Sequence, residues 1–256
     1  ERGARYDACG RDRLRGVDLE LAAGQLCAVL RPNGCGTSTL LRCLAGLLTA
    51  RGEIHLMGES QAALDRRRWA QLVALVPQHH EVAFSFTVAE VVAMGRMPHQ
   101  SGWRAAAADA ASVREALAAC RLEALADVPV TALSGGEQKR VHIARAFAQT
   151  TPILLLDEAT AHLDLAHALA VHRLLARRVR ETDATCVFTT HDLAAAAAHA
   201  DHILLMRAGE VVAQGAPDEV MTPPRLADVF DVELEVVTHG GRRLFVASKK
   251  PSDPDP

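Results

Sequence analysis

The chain has 256 residues, of which 49% are hydrophobic and 23% are charged, and its formal net charge is −3. This profile is typical of a globular protein with one large domain or a core with a subdomain, and the balance of 28 basic and 31 acidic residues gives no electrostatic reason to expect nucleic acid as a partner. Because no run of about 18 uncharged apolar residues occurs, no membrane-spanning helix is predicted, and a membrane role would require a partner.

The first third of the chain predicts strands around a helix. Residues 16–30 alternate polar and apolar side chains, break at Ala23-Gly24 and then become continuously apolar. This pattern predicts a half-exposed strand, a tight turn and a buried strand. The elements predicted next are a helix at 39–48, a strand at 52–58, a short helix at 64–71 and a buried strand at 72–77.

From residue 84 to residue 150 the pattern becomes helical. Thr87 and Glu90 have the spacing of a capping box, and 105–120 is rich in strong helix formers. Beyond this region, the predicted elements are buried strands at 152–158 and 184–192, a helix at 166–181 between them, hairpins at 202–215 and 233–248, and a disordered tail at 249–256. The alternation of apolar strands with helices predicts a parallel sheet that is covered on both faces.

The cysteines and histidines give no pattern typical of a zinc site. The six cysteines are scattered without a C-x-x-C pair, which argues against a zinc site and a disulfide framework and favours a reducing compartment. The twelve histidines show no H-x-x-x-H pattern with a carboxylate.

The segment RPNGCGTST at 31–39 matches the phosphate-binding pattern G-x-x-x-x-G-K-[ST] at most positions. However, Arg31 stands at the first glycine position and Thr37 at the lysine position. The strand–loop–helix context is the required one, because backbone N–H groups and a helix N-terminus then surround the phosphates. A Gly-rich turn without a ligand is the alternative for this segment alone. The residues predicted to form the loop and begin the helix are Asn33, Gly34, Cys35, Gly36, Thr37, Ser38 and Thr39.

The string LSGGEQ at 133–138 is far more specific. Ser134, Gly135 and Gly136 precede a helix that is predicted to begin near Glu137, which would make a second anion-binding helix N-terminus. An N-cap with a flexible lead-in is the purely structural alternative, but it does not explain the whole string.

Polar residues also end three predicted buried strands. Asp157 and Glu158 follow an apolar run, and adjacent carboxylates there suit the binding of Mg²⁺ and the activation of an attacking water. Two acids at such a place can also be a solvated strand end. Gln78 and His191 are, taken singly, polar residues after a strand.

These motifs, together with AHLD at 161–164, occur in an order similar to that of the nucleotide-binding subunit of an ATP-binding-cassette (ABC) transporter. The resemblance covers residues 6 to about 220. It implies an α/β fold, namely a P-loop nucleoside triphosphatase (ABC ATPase) core with a parallel sheet, an antiparallel β subdomain near the N-terminus and an inserted α-helical subdomain. One ABC ATPase domain is then expected at 1–248, with the helical subdomain at about 84–150.

Residue by residue, the resemblance implies a site for ATP and Mg²⁺. Glu158 would be the catalytic carboxylate, assisted by Gln78, with His191 at the γ-phosphate. The residues implied around Mg²⁺ are Ser38, Gln78 and Asp157. The residues implied to contact ATP across a head-to-tail dimer, or to join its two sites, are Ser134, Gly135, Gly136, Gln138 and Asp164. Tyr6, 25 residues before Arg31, matches an aromatic that stacks on adenine, although a core strand aromatic is the alternative.

The segment at 76–100 resembles importers of iron-siderophore, haem or cobalamin, above all in TVAEVVAMGRMPH. The implied function is to energise import by ATP-driven dimer closure and hydrolysis. The implied partners are a second copy of the subunit, integral membrane permease subunits and, indirectly, a substrate-binding protein, without nucleic acid. The implied location is peripheral, at the cytoplasmic face of the inner or plasma membrane.

Arg31 and Thr37 predict weakened hydrolysis. Thr37 removes the full positive charge that the loop directs at the phosphates, and the loss of such a preorganised group costs about 10²- to 10³-fold in rate. Arg31 places a side chain where glycine gives room. Arg31 is not expected to replace the lysine, because position 31 leaves its strand on the far side of the loop.

The retained Glu158 and LSGGEQ favour a damaged transport ATPase over an old, specialised pseudoenzyme. Two alternatives stay open. One is a non-hydrolytic regulatory subunit of a transporter. The other is a soluble ABC protein outside transport, although such proteins usually carry tandem cassettes, large insertions or basic surfaces.

Overall fold

The computed structural model describes residues 3–9, 14–32, 36–78, 85–100, 105–161, 163–240 and 242–248, without the side chains of 3–9, 105–107 and 242. The strands are β1 (Gly3–Cys9), β2 (Val17–Glu20), β3 (Leu26–Leu30), β4 (Ala50–Glu53), β5 (His55–Leu56), β6 (Glu59–Ser60), β7 (Val73–Val76), β8 (Ile153–Leu156), β9 (Thr185–Thr190), β10 (His202–Arg207), β11 (Glu210–Gly215), β12 (Glu233–His239) and β13 (Arg242–Ser248).

The α-helices are α1 (Thr37–Leu44), α2 (Arg66–Leu72), α3 (Val88–Ala93), α4 (Ala105–Ala119), α5 (Gly135–Ala148), α6 (Leu165–Thr182), α7 (Leu193–His199), α8 (Pro217–Val220) and α9 (Pro223–Phe230). Short 3₁₀ helices occupy Gln61–Ala63, Met94–His99, Glu123–Leu125 and Val130–Ala132. Among the described residues, no helix is both long enough and apolar enough to cross a membrane.

The largest described sheet has the strand order β11-β10-β3-β9-β8-β7. The pairs from β10 to β7 are all parallel, whereas β11 runs antiparallel to β10. Every residue of β3 is buried, as is typical of a parallel strand with helices on both faces. The predicted parallel sheet is therefore confirmed.

Alternate residues of β3 belong to two different cores. Leu26, Ala28 and Leu30 pack in one apolar cluster together with buried residues of α5 and α6. Cys27 and Val29 point to the opposite face and pack in a second cluster, together with buried residues of α1 and α2. This alternation follows from the two-residue period of a strand, and it fixes β3 in the centre of the fold.

A smaller antiparallel sheet near the N-terminus has the order β2-β1-β4. β2 alternates buried Val17 and Leu19 with exposed Asp18 and Glu20, as its sequence pattern predicts. The backbone of Tyr6 lies in β1, opposite Val17 on one side. The antiparallel subdomain that the family resemblance implied is thus present.

The helical region begins with the predicted capping box. The Thr87 hydroxyl accepts a hydrogen bond from the Glu90 N–H, and the Glu90 carboxylate accepts one from the Thr87 N–H. The segment after α3 then approaches α5 closely, since a Cβ on Gly95 would lie 2.1 Å from the Arg145 carbonyl oxygen. Only glycine permits this contact.

Three local predictions differ from the structure. The strand predicted at 52–58 is broken between β4 and β5, because Ile54 turns into the core and its carbonyl accepts from Gln61 N–H at 2.8 Å. Helix α1 ends at Leu44, short of the predicted residue 48, because Gly46 takes a φ of 72° and begins a turn. Cys43 is disulfide-bonded, which the scattered cysteines did not indicate.

Candidate active site

The predicted polar residues follow neighbouring strands of the parallel sheet. Arg31 comes directly after β3, Asp157 after β8 and His191 after β9, while Gln78 lies two residues beyond β7. Since β3, β9, β8 and β7 are parallel neighbours, their carboxyl ends meet at one edge. Ligands of open α/β sheets bind at this kind of edge.

Glu158 lies at this edge, with only 13% of its side chain exposed. Arg31 Nη2 donates to Glu158 Oε1 and forms an ion pair with it. Gln78 Nε2 donates to the other carboxylate oxygen, Oε2, at 2.6 Å. Both oxygens of the carboxylate are therefore engaged. Although position 31 was expected to keep Arg31 on the far side of the loop, its side chain reaches past the end of β9 to the second residue after β8.

Thr189 holds the backbone around Glu158. Its Oγ1 accepts from the Glu158 N–H at 2.8 Å and donates to Asp157 Oδ1 at 2.9 Å. Glu158 has a φ of 47°, which is unusual for a residue with a side chain, and such backbone strain is concentrated at functional sites. The Thr189 side chain is buried, so one hydroxyl fixes both carboxylate residues relative to β9.

We expect Thr189→Val to lower the free energy of unfolding by about 1–3 kcal/mol, because the Glu158 N–H would lose its partner in a partly buried place. The matched control is Thr185→Val, at the start of the same strand, whose hydroxyl donates to the Ala22 carbonyl at 3.1 Å in an exposed place. Urea unfolding of both variants measures the difference. Equal losses for the two variants would contradict this role for Thr189.

The start of α1 is open to an anion. Gly36 precedes the helix with a φ of 87°, no side chain of the described residues caps the helix, and its first turn carries no acidic residue. Unpaired N–H groups at a helix N-terminus attract phosphate groups. Ser38 and Thr39 are half-buried in this first turn. The predicted loop residues Asn33, Gly34 and Cys35 lie outside the described residues.

Thr37 is buried in the first turn of α1. Its side chain is 1% exposed, and its Oγ1 has no hydrogen-bond partner among the described residues. The first turn of α1 therefore supplies backbone N–H groups without a positively charged side chain.

Lys139, which the sequence analysis missed, contributes a second buried cation near this edge. Its Nζ donates to the carbonyl oxygens of Pro77 and Gln78 at 3.5 and 3.3 Å. Burial lowers the pKa of Lys139, while the negative charges of Asp157 and Glu158 act in the opposite direction. Lys139 thus ties α5 to the segment that carries Gln78.

Ser134 is the N-cap of α5, in a capping box like that of α3. The Glu137 carboxylate accepts from Ser134 N–H at 2.9 Å and from Ser134 Oγ at 2.7 Å. These hydrogen bonds from Ser134 lower the pKa of Glu137. Gln138 Nε2 folds back onto the Leu133 carbonyl at 3.0 Å. The helix begins at Gly135 rather than near Glu137.

Asp164 lies close to this helix start. It is the N-cap of α6 and accepts from His167 N–H at 2.9 Å, with His167 Nδ1 at 2.7 Å from its other oxygen. A Cβ on Gly136 would lie 3.2 Å from His167 Cδ2. The start of α5 and the start of α6 therefore form one exposed cluster. No hydrogen bond among the described residues joins this cluster to Glu158.

Comparison with known proteins decides the family. The family model described as ABC transporter matches residues 14–161. The chain belongs to the ABC transporter family. The chain is 43% identical to the hemin import ATP-binding protein of Streptomyces coelicolor, over 97% of this chain and 89% of that protein. It is 37% identical to the iron(3+)-hydroxamate import ATP-binding protein of Bacillus subtilis, over 87% of this chain and 83% of that one.

Solved structures agree with this assignment. An ABC transporter in an inward-facing conformation aligns with a TM-score of 0.82 and 28% identity, over 97% of this chain and 98% of that chain. A dimeric bacterial ABC transporter cassette aligns with a TM-score of 0.72 and 27% identity, over 84% of this chain and 96% of that one. The chain is therefore an ABC ATPase, and the predicted fold class is confirmed.

The residues of this ABC ATPase suit the phosphates of a nucleotide with one exception. The uncapped start of α1 offers N–H donors, and Ser38, Gln78 and Asp157 offer oxygen atoms of the kind that Mg²⁺ prefers. Within the described ranges, no group of three or more His, Cys, Asp or Glu side chains could hold a metal ion. The exception is the missing positive charge at Thr37.

The remaining predicted residues have no described contact with Glu158. His191 is exposed directly after β9. Tyr6 is described only by its backbone in β1. Thr189 and Lys139 were not predicted, although a polar residue inside the apolar strand TCVFTT was a usable signal for Thr189.

Proposed function

We propose that this ABC ATPase is the subunit that energises an importer for an iron chelate, haem or a cobalamin-type substrate. The observation that carries the proposal is its similarity, along nearly the whole chain, to ATP-binding proteins named for the import of hemin and of iron(3+)-hydroxamate. A cobalamin import ATP-binding protein of Halobacterium salinarum is 38% identical over 92% of this chain, although this chain covers 59% of that protein.

The carboxyl edge of the sheet is the proposed site of hydrolysis. Glu158 orients the attacking water and accepts its proton, and Thr189 fixes the backbone that carries it. Gln78, whose carbonyl accepts a hydrogen bond from Lys139, assists Glu158 through its side-chain amide. His191 contacts the terminal phosphate. Ser38, Gln78 and Asp157 would hold Mg²⁺, which neutralises phosphate charge when it is bound.

Two copies of the subunit bind ATP between them in this proposal. The exposed cluster of Ser134, Gly136, Asp164 and His167 faces the ATP of the partner copy. The subunit also has integral membrane permease subunits as partners and, indirectly, a substrate-binding protein. Nucleic acid is not a partner. The subunit lies peripherally at the cytoplasmic face of the membrane.

Ser134→Ala tests the dimer contact against a matched control, Thr87→Ala. Both residues cap a helix through the same capping box, so both variants should lose about 1 kcal/mol of stability. Only Ser134→Ala should weaken ATP-dependent dimer formation, measured by light scattering in the Glu158→Gln background to prevent turnover. Equal dimer formation by both variants would remove Ser134 from the proposed contact.

Import is tested by complementation of a Streptomyces coelicolor strain that lacks its hemin import ATP-binding protein. The unaltered chain, Arg31→Gly/Thr37→Lys and Glu158→Gln are expressed, and growth is measured with hemin, a ferric hydroxamate or cobalamin as the supplied substrate. We expect Arg31→Gly/Thr37→Lys, the variant with the repaired loop, to support growth on hemin, and we expect Glu158→Gln not to support it. Failure of the repaired loop on hemin, despite ATP hydrolysis in vitro, would contradict a hemin-type role.

A second candidate function is that of a regulatory subunit that binds ATP without hydrolysis. The observation that favours it is the engagement of both Glu158 carboxylate oxygens by Arg31 and Gln78. Growth support by the unaltered chain would exclude it, because transport requires turnover.

A further inference from the structure

The ion pair between Arg31 and Glu158 is a described contact that the proposed hydrolysis does not explain. Arg31 stands at a position where the phosphate-binding pattern has glycine. Its side chain is only 10% exposed, and that of Glu158 is 13% exposed, so water and salt screen the pair weakly. The guanidinium crosses from the end of β3 to the second residue after β8, and thus lies at the same edge as the proposed hydrolysis site.

Arg31 carries the charge that position 37 lacks. The Thr37 side chain is neutral and buried. Lys139, the other buried cation at this edge, is directed at the backbone carbonyls of Pro77 and Gln78. A guanidinium binds phosphate oxygens as well as carboxylate oxygens, because its planar donors match both.

The same contact restrains Glu158. A carboxylate acts as a general base through a free oxygen within hydrogen-bond reach of the water. In this structure Oε1 accepts from Arg31 and Oε2 accepts from Gln78. Each carboxylate oxygen keeps a second lone pair, so Arg31 restrains Glu158 without blocking it, and release of Arg31 opens Oε1 fully to water.

We propose that Arg31 binds the terminal phosphate of ATP and alternates between that phosphate and Glu158. Without nucleotide the guanidinium holds the carboxylate. With ATP the phosphate draws the guanidinium away, which supplies the missing charge and frees Glu158 in a single exchange. ADP lacks the terminal phosphate and leaves the ion pair intact. This inference rests on the proposed binding of ATP at this edge.

The test is equilibrium binding of Mg·ATP and Mg·ADP to the full chain and its variants, without reliance on turnover. Arg31→Ala should lower the affinity for ATP about tenfold or more, the size expected for a charged hydrogen bond, while the affinity for ADP stays within about twofold of the unaltered chain. The ATP affinity of Arg31→Lys should lie between that of the unaltered chain and that of Arg31→Ala. Arg207→Ala, which breaks an exposed pair with Asp228 at 2.9 Å, controls for the loss of one positive charge and should change neither affinity.

A second variant tests the same ion pair by changing Glu158 instead of Arg31. Glu158→Gln removes the negative charge that holds Arg31, so the affinity for ATP should rise while that for ADP should not. In Arg31→Ala/Glu158→Gln this gain should disappear. These comparisons remain decisive if Arg31→Ala alone fails to fold, which circular dichroism reports, because Arg31→Lys and Glu158→Gln carry the same prediction.

ATP affinity that is unchanged or higher in Arg31→Ala or Arg31→Lys would overturn the inference and leave Arg31 as a blocking residue only. An equal gain from Glu158→Gln with and without Arg31 would also overturn it. If neither the unaltered chain nor Arg31→Gly/Thr37→Lys binds any nucleotide, the proposed function fails together with the inference. If ATP binds equally well with and without Arg31, only the inference about Arg31 is contradicted, and the proposed function stands.

Discussion

Arg31→Gly/Thr37→Lys is expected to hydrolyse ATP about 10²- to 10³-fold faster than the unaltered chain, because a lysine at position 37 supplies a preorganised charge, whereas Arg31 is held by Glu158 until ATP displaces it. Glycine at position 31 removes the ion pair and frees Glu158. Thr37→Lys alone should gain less, because the new lysine would compete with Arg31 for the terminal phosphate, and Arg31 would then stay on the Glu158 carboxylate. Phosphate release at saturating Mg·ATP measures the three rates.

The control for this pair of changes is Thr182→Lys, which adds the same charge at an exposed residue near the end of α6. Its rate should equal that of the unaltered chain. A repaired loop that is no faster than the unaltered chain would show that the natural residues already supply the charge, and the predicted weakening by Thr37 would then be wrong.

The second large effect is expected for Glu158→Gln. In the Arg31→Gly/Thr37→Lys background, this change should lower the hydrolysis rate by about 10²- to 10⁴-fold, the range for loss of a general base. Binding of ATP should persist, because the start of α1 and Asp157 are unchanged. Glu181→Gln, an exposed carboxylate on α6 that lies 3.8 Å from Arg177, is the control and should keep the full rate.

If Glu158→Gln keeps a rate close to that of Arg31→Gly/Thr37→Lys, Glu158 is not the general base. The alternative result, a loss of both binding and hydrolysis, would assign Glu158 a structural role. Equilibrium ATP titration of the same preparations separates these outcomes.

The periodicity of the sequence was sufficient to predict the sheet. β3 is buried along its whole length and β2 alternates, as their side chains indicate. The capping box at Thr87 was predicted and is present. The same spacing at Ser134 and Glu137 was not used, so the start of α5 was placed two residues late. Boundaries depend on single backbone conformations, as the left-handed Gly46 after α1 shows.

The sequence alone could not predict contacts between side chains that are far apart along the chain. Arg31 and Glu158 are 127 positions apart, and their meeting depends on the strand order β3-β9-β8, which no local pattern contains. Thr189 joins the site for the same reason, because β9 lies between the strands that carry the other residues. The motifs therefore indicated the edge of the sheet, whereas the hydrogen bonds that organise this edge required the structure.

Binding of ATP to the unaltered full chain, with and without Mg²⁺, tests the central claim most directly. Isothermal titration of the unaltered chain and of Ser38→Ala provides the comparison. We predict saturable binding that Mg²⁺ strengthens in the unaltered chain and strengthens much less in Ser38→Ala. Absence of saturable ATP binding by the unaltered chain, folded and in the presence of Mg²⁺, would contradict the assignment of this edge as its nucleotide site.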